Sequence, residues 1–153
     1  MPEEPSAAAR IEIERACERL ILAYSRALDT GDMQAAARCF AANGRFARPM
    51  APDQLIEGRE AILASLLARP RSLLTRHLST NIVIDVEGPH SASGFSYLTM
   101  VSTTPAGGAK PPHASAGPIW FGEMHDRFVL EDGSWKFLER RGAIAIQYTG
   151  PQT

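Results

Sequence analysis

Two side chains with chemistry sit close together in the stretch LAYSRALDTGD, residues 22–32: the phenol of Tyr24 and the carboxyl of Asp29. Elsewhere the chain carries four histidines, His77, His90, His113 and His125, and an adjacent arginine pair, Arg140 and Arg141. Histidine can take and return a proton near neutral pH because its ordinary pKa lies there. A carboxylate bonded to the far ring nitrogen fixes the tautomer and stabilises the imidazolium that forms. A phenol can donate to a carbonyl or a departing hydroxyl, and a guanidinium can grip a carboxylate or enolate oxygen with two prongs. Such a set suits an elimination, in which a proton leaves from beside a carbonyl and the leaving oxygen is protonated. No HxH or HExxH spacing is present, and Cys17 and Cys39 belong to no CxxC motif, so no metal is expected.

Those side chains must be positioned by a single core. At 153 residues, 44% hydrophobic and 22% charged, the chain reads as one globular domain, expected over 8–148 with flexible ends at 1–7 and 149–153. A net charge of -1 with scattered arginines excludes a nucleic-acid footprint. The opening MPEEPSAAAR has no apolar signal region, and no run approaches a membrane span, so no membrane contact and a cytoplasmic location are expected. The two cysteines read as buried free thiols.

Apolar residues at Ile13, Cys17, Leu20, Tyr24 and Ala27 draw one stripe on a helix from about Ala8 to Leu28. Gly31 stops it, and Asp32 caps a second, shorter helix with Met33, Ala36, Ala37 and Phe40 on its stripe. GRFARP is a possible strand, and Gly58 and Arg59 open a third helix that runs until Pro70. The second half changes period. Residues 73–88, 91–104, 118–133 and 134–148 read as four long strands, the last two joined by a tight Asp-Gly hairpin. Residues 104–118, with four prolines and three glycines, form a long loop, either a lid or a mobile connection. The order predicts an α+β fold, with three N-terminal helices packed in a strongly curved antiparallel sheet shaped as a cone with an apolar cavity at its open end.

Within that fold, Trp120, Met124 and Phe128 share a strand face, so His125 points away if this face lines the cavity. His113 in the loop and His90 in a turn are expected to be exposed. Tyr24 and Asp29 are five residues apart, about 140° around a helix, so both cannot point into one cavity unless the helix ends or distorts at Asp29.

The ordered segments IERACERLILAYSRALDTGDMQAAARCFAANGRF, GREAI, RHLSTN and DRFVLEDGSWKFLERR resemble the SnoaL-like branch of the nuclear-transport-factor-2-like superfamily, over residues 10 to 146. The resemblance implies the cone-shaped, cystatin-like α+β fold. It does not fix a reaction, because this fold hosts dehydratases, isomerases, cyclases and non-catalytic subunits. Ketosteroid isomerases place an Asp base before a proline after the second helix; here Arg48 precedes Pro49 and cannot accept the proton. Scytalone dehydratase pairs an acid at the end of helix one with two histidines. Asp29 and His77 match the first two, and the other histidine's place falls near Ser102.

The pattern is more similar to the bile-acid 7α-dehydratases, which implies roles for Tyr24, Asp29, His77 and Arg140. The lindane dehydrochlorinase shares the Asp and His but has a Lys in the place of Tyr24. By this resemblance His77 is the base, Asp29 its partner, Tyr24 a donor and Arg140 a substrate clamp; Trp120, Met124, Phe46 and the leucines are expected to form the apolar walls of the pocket. The expected activity is a cofactor-free lyase, dehydratase-like, acting on a hydrophobic polycyclic or alicyclic molecule such as a steroid or polyketide. An isomerase or cyclase with the same pair, a scaffold subunit akin to those of ring-hydroxylating dioxygenases, and a ligand-binding protein are the alternatives. A homodimer or homotrimer through the outer sheet face is also implied.

Overall fold

The computed structural model describes residues 4–115 and 117–150. The first helix, α1, spans Ala7–Thr30. Ser6, assigned by sequence to a loose tail, caps it by accepting from the Ala9 N–H at 3.2 Å. Of the ends expected to be flexible, residues 1–3 and 151–153 lie outside the described residues. Ile13, Cys17, Ile21, Tyr24 and Leu28 are buried along α1 at helical spacing, which is why this face and not another docks on the sheet. Gly31 ends the helix at φ 79°, and Asp32 caps α2, Met33–Arg38, by accepting from the Ala35 N–H at 2.8 Å.

Phe40, read as the end of the second helix, instead begins strand β1, Phe40–Ala47. The chain leaves the helix there because the Cys39 carbonyl accepts from the Phe137 N–H at 2.8 Å and the Phe40 ring is fully buried. A three-residue strand β2, Leu55–Glu57, too short to carry a periodic signal, pairs with β1. Helix α3, Arg59–Leu67, follows. The long strands are β3, Leu74–Gly88, β4, Ser91–Thr103, β5, Ile119–Glu131, and β6, Ser134–Tyr148, each close to the span read from sequence. Asp132 at φ 51° and Gly133 at φ 75° form the hairpin between β5 and β6.

One six-stranded sheet results, in the order β2-β1-β6-β5-β4-β3. Its neighbours are antiparallel except β1 and β6, which run parallel. No hairpin joins those two, so nothing obliges them to reverse direction. Curvature has visible sources. Asn81, at φ 52°, lies where β3 slips register against β4 between Thr80 and Val83, and a second irregularity falls between Phe40 and Arg45 on β1. The bent sheet wraps α1, which lies chiefly on β3 and also touches β6. Phe40, Phe128, Phe137, Ile21 and Ile62 fill the space between. The outer sheet face carries the exposed Leu78, Val83, Tyr97, Phe121 and Ile146. Among the described residues, no helix is long and apolar enough to cross a membrane.

Candidate active site

The centre of the site is a seam between the end of α1 and the start of β3. Asp29 Oδ1 lies 2.5 Å from His77 Nδ1 and accepts from the Thr75 hydroxyl at 2.9 Å, while Oδ2 accepts from the His77 backbone N–H at 2.9 Å. Thr75 and His77 stand two apart on one strand face, so a single carboxylate spans both. Burial raises the Asp29 carboxyl's pKa, but the His77 ring, its backbone N–H and the Thr75 hydroxyl outweigh that effect and hold it below the usual carboxylate value. With Nδ1 donating to a carboxylate, Nε2 is the free, basic nitrogen. The ring lines a cavity of about 280 Å³, near the lower end of small-molecule pockets.

Asp29 itself is absent from the cavity wall, while Tyr24 is part of it. The five-residue offset is thereby resolved without distortion: α1 continues to Thr30, Tyr24 turns inward, and Asp29 reaches sideways behind His77. The Tyr24 ring packs edge-on against Phe40, Phe46 and Phe137 at centroid distances of 5.7, 6.2 and 5.8 Å. Burial pushes its phenol up to about 12, against the pull of Arg140, Arg48 and Arg69, so it remains a protonated donor near neutral pH. Its hydroxyl has no hydrogen-bond partner among the described residues.

Arg140 also lines the cavity and is only 2% exposed. Its guanidinium sits 5.1 Å from the Tyr24 ring centre and 4.7 Å from that of Phe137, and donates to Asp126 Oδ2 at 2.7 Å. Burial pushes the Asp126 carboxyl up to about 6 even though Arg140 draws it down. Met124 and Phe46 line the cavity, and Ser102 is on its wall. Trp120 does not line it. Although it alternates with Met124, it lies four residues earlier on β5, about 13 Å along an extended strand; of its partners across the sheet, Met100 lines the cavity and Gln147 does not.

The remaining histidines are elsewhere. His125 is exposed on the opposite face of β5, its ring 5.2 Å from Phe95. His113 borders a separate hollow between the 104–118 loop and the ends of β3 and β4, together with Pro111 and Ser115. His90 lies exposed in the β3–β4 turn. Cys17 and Cys39 are buried free thiols, and burial pushes the Cys17 thiol up to about 12, which removes any nucleophilic role near neutral pH. Among the described residues, no three of His, Cys, Asp and Glu gather as a metal site.

Sequence reasoning missed Thr75, Asp126 and Arg69, and noted Arg48 only as the residue in the place of an isomerase's base. Thr75 was detectable as the residue two before His77, on the same face. Asp126 was detectable as the acid between the inward-facing Met124 and Phe128. Its partner depends on the β5–β6 register, where Asp126 stands opposite Arg140. Arg48 and Arg69 lie just beyond the ends of β1 and α3, where periodicity carries no information.

A model of the SnoaL-like domain matches residues 9–141. The chain belongs to the SnoaL-like family. No curated protein is similar enough in sequence to match it. Among solved structures, this SnoaL-like chain is 30% identical to a protein of unknown function from Mycobacterium tuberculosis, over 88% of this chain and 77% of that one, with TM-score 0.72. It is 22% identical to a candidate scytalone dehydratase from Novosphingobium aromaticivorans, over 97% and 94% of the two chains, with TM-score 0.77. It is 15% identical to the hexachlorocyclohexane dehydrochlorinase LinA, type 2, over 97% and 95%, with TM-score 0.78. The last two likenesses show a shared fold across nearly the whole chain.

Proposed function

We propose that the protein is a lyase that removes water, or another leaving group β to a carbonyl, from an apolar ring-bearing molecule. The observation that carries this reading is the 2.5 Å contact of His77 Nδ1 with Asp29 beside an apolar cavity lined by the same imidazole. Nε2 takes the proton α to the carbonyl, and Asp29 stabilises the imidazolium so formed. The enolate oxygen receives a hydrogen bond from the Tyr24 hydroxyl and charge stabilisation from Arg140. The imidazolium then returns its proton to the β-oxygen, water departs, and the carbon–carbon double bond closes. Atoms balance without any further reactant.

The names borne by two structural relatives, a dehydratase and a dehydrochlorinase, describe eliminations and support the class of reaction. Assembly of two or three copies through the outer sheet face belongs to the same reading. Exposed Tyr97, Phe121 and Ile146 form an apolar strip there, and sedimentation velocity decides it.

The experiment is a panel of cyclic β-hydroxy ketones, neutral and carboxylate-bearing, followed by the ultraviolet absorbance of the conjugated enone. Turnover that falls by about 100-fold or more in His77→Gln supports the reading. Turnover equal in wild type and His77→Gln, or no turnover on any member, sinks it.

A further inference from the structure

Two more arginines line the cavity, and the elimination chemistry uses neither. Arg48 follows β1 and Arg69 follows α3. Arg48 is anchored by one nitrogen: Nη2 donates to the Ser65 carbonyl at 2.6 Å and to the Ser65 hydroxyl at 2.5 Å. Arg69 Nη2 donates to the Thr75 hydroxyl at 3.4 Å, and that hydroxyl donates onward to Asp29. Each guanidinium thus keeps most of its five N–H donors uncommitted.

Neither arginine forms an ion pair among the described residues. The cavity wall contains no Asp or Glu. The two carboxylates just behind it are engaged, Asp29 with His77 and Asp126 with Arg140. The remaining wall is largely apolar, with Leu28, Leu66 and Leu98 among its members. Burial draws the Arg69 guanidinium's pKa down and Arg48 draws it down further, while Tyr24 and Asp29 push it back up. Two partly buried cations with no direct ion pair, in a wall that holds no acid, are costly, and an anionic ligand relieves that cost through charge-assisted hydrogen bonds. A neutral apolar ligand would desolvate both and pair neither.

We propose that Arg48 and Arg69 form an anion subsite of this cavity, and that its substrate is a carboxylate-bearing alicyclic or polycyclic molecule. The assignment rests on the cavity being the reaction site, and it narrows the substrate from any apolar ring compound to an acid of that class. Arg140, already neutralised by Asp126 and stacked on Tyr24, faces the reacting carbonyl. Arg48 and Arg69 hold the carboxylate, and Thr75 links Arg69 to Asp29.

Binding can be measured without turnover. Calorimetric titration at low ionic strength compares cyclohexanecarboxylate, its neutral amide and inorganic phosphate, on wild type, Arg48→Gln, Arg69→Gln, the double variant and the exposed control Arg71→Gln. The expected result is a preference of about tenfold or more for the carboxylate over the amide, abolished in the double variant and kept in the control. Equal binding of carboxylate and amide by wild type overturns the proposal, as does a preference that survives in the double variant. Phosphate binding as tightly as cyclohexanecarboxylate overturns the substrate class, since the apolar body then contributes nothing. Should the double variant fail to fold, each single variant must still lose part of the preference, and an unchanged preference in both overturns the subsite. A carboxylate preference that follows the arginines while no β-hydroxy ketone is turned over leaves the subsite standing and removes only the elimination.

Discussion

Asp29 holds His77 twice, one oxygen 2.5 Å from the ring Nδ1 and the other 2.9 Å from the backbone N–H of the same residue. The imidazole is therefore fixed relative to its own main chain, and the acid serves the fold as well as the proton. Asp29→Ala deprives the His77 N–H and the Thr75 hydroxyl of their acceptor and should cost about 1–3 kcal/mol. His77→Gln, which leaves the backbone contact intact, should cost less. Chemical denaturation of the two variants checks the order, and equal losses would contradict the double hold.

The pH dependence of stability has a definite sign at this carboxyl. The folded Asp29 pKa lies below its ordinary value of 3.8, so the folded state binds this proton less readily than the unfolded chain. Its contribution is fully present above the ordinary value and is lost as pH falls through the lower folded one. Melting temperatures between pH 5 and pH 2 should fall less steeply for Asp29→Asn than for wild type. Parallel curves would show that Asp29 is not the group responsible.

Tyr24 separates packing from chemistry. Its ring touches Phe40, Phe46 and Phe137, while its hydroxyl bonds to no described residue. Tyr24→Phe should keep stability within about 0.5 kcal/mol. Its kcat should drop by about 100-fold, as for removal of one oxyanion donor. Unchanged kcat would remove the hydroxyl from the mechanism.

Asp126 and Arg140 form the most deeply buried ion pair among the described residues, with side chains 0% and 2% exposed. Removing one partner strands a charge, so Asp126→Leu should cost about 3–5 kcal/mol. The double variant Asp126→Leu/Arg140→Met should recover most of that stability yet remain inactive. Calorimetry and turnover on the same samples separate the two effects.

Gly142 is a steric test of the cavity wall. A Cβ built there would lie 2.5 Å from Pro49 Cγ and 2.6 Å from Met124 Sδ, and both residues line the cavity. Gly142→Ala should cost about 1–3 kcal/mol through overpacking. It should also weaken binding of bulky ligands more than small ones, which a size series of cycloalkane acids measures.

How much of this was legible beforehand depends on the range of the signal. The four long strands and the Gly31–Asp32 break are local patterns of alternation, period and capping, and they stand where sequence places them. Tyr24, Asp29 and His77 were found through their resemblance to family positions, and the structure brings Asp29 onto His77. The parallel β1–β6 contact, the shift of Phe40 from helix to strand and the Asp126–Arg140 pairing are set by register between distant segments. Trp120 stands outside the cavity although its partner Met100 lines it: alternation gives the face of a strand but not which side chains on that face reach the cavity.

The parallel partnership of β1 and β6 also has a consequence for the order of events on the ribosome. β1 ends at Ala47, and the strand that covers its inner edge begins only at Ser134. Throughout that interval of synthesis, the nascent chain carries the Phe40 and Phe46 rings without Phe137 to pack on Phe40 and with one strand edge unpaired. Such a state invites self-association until the final segment emerges. Clipping the chain ahead of Ser134 would therefore yield an aggregating fragment, not a smaller folded protein.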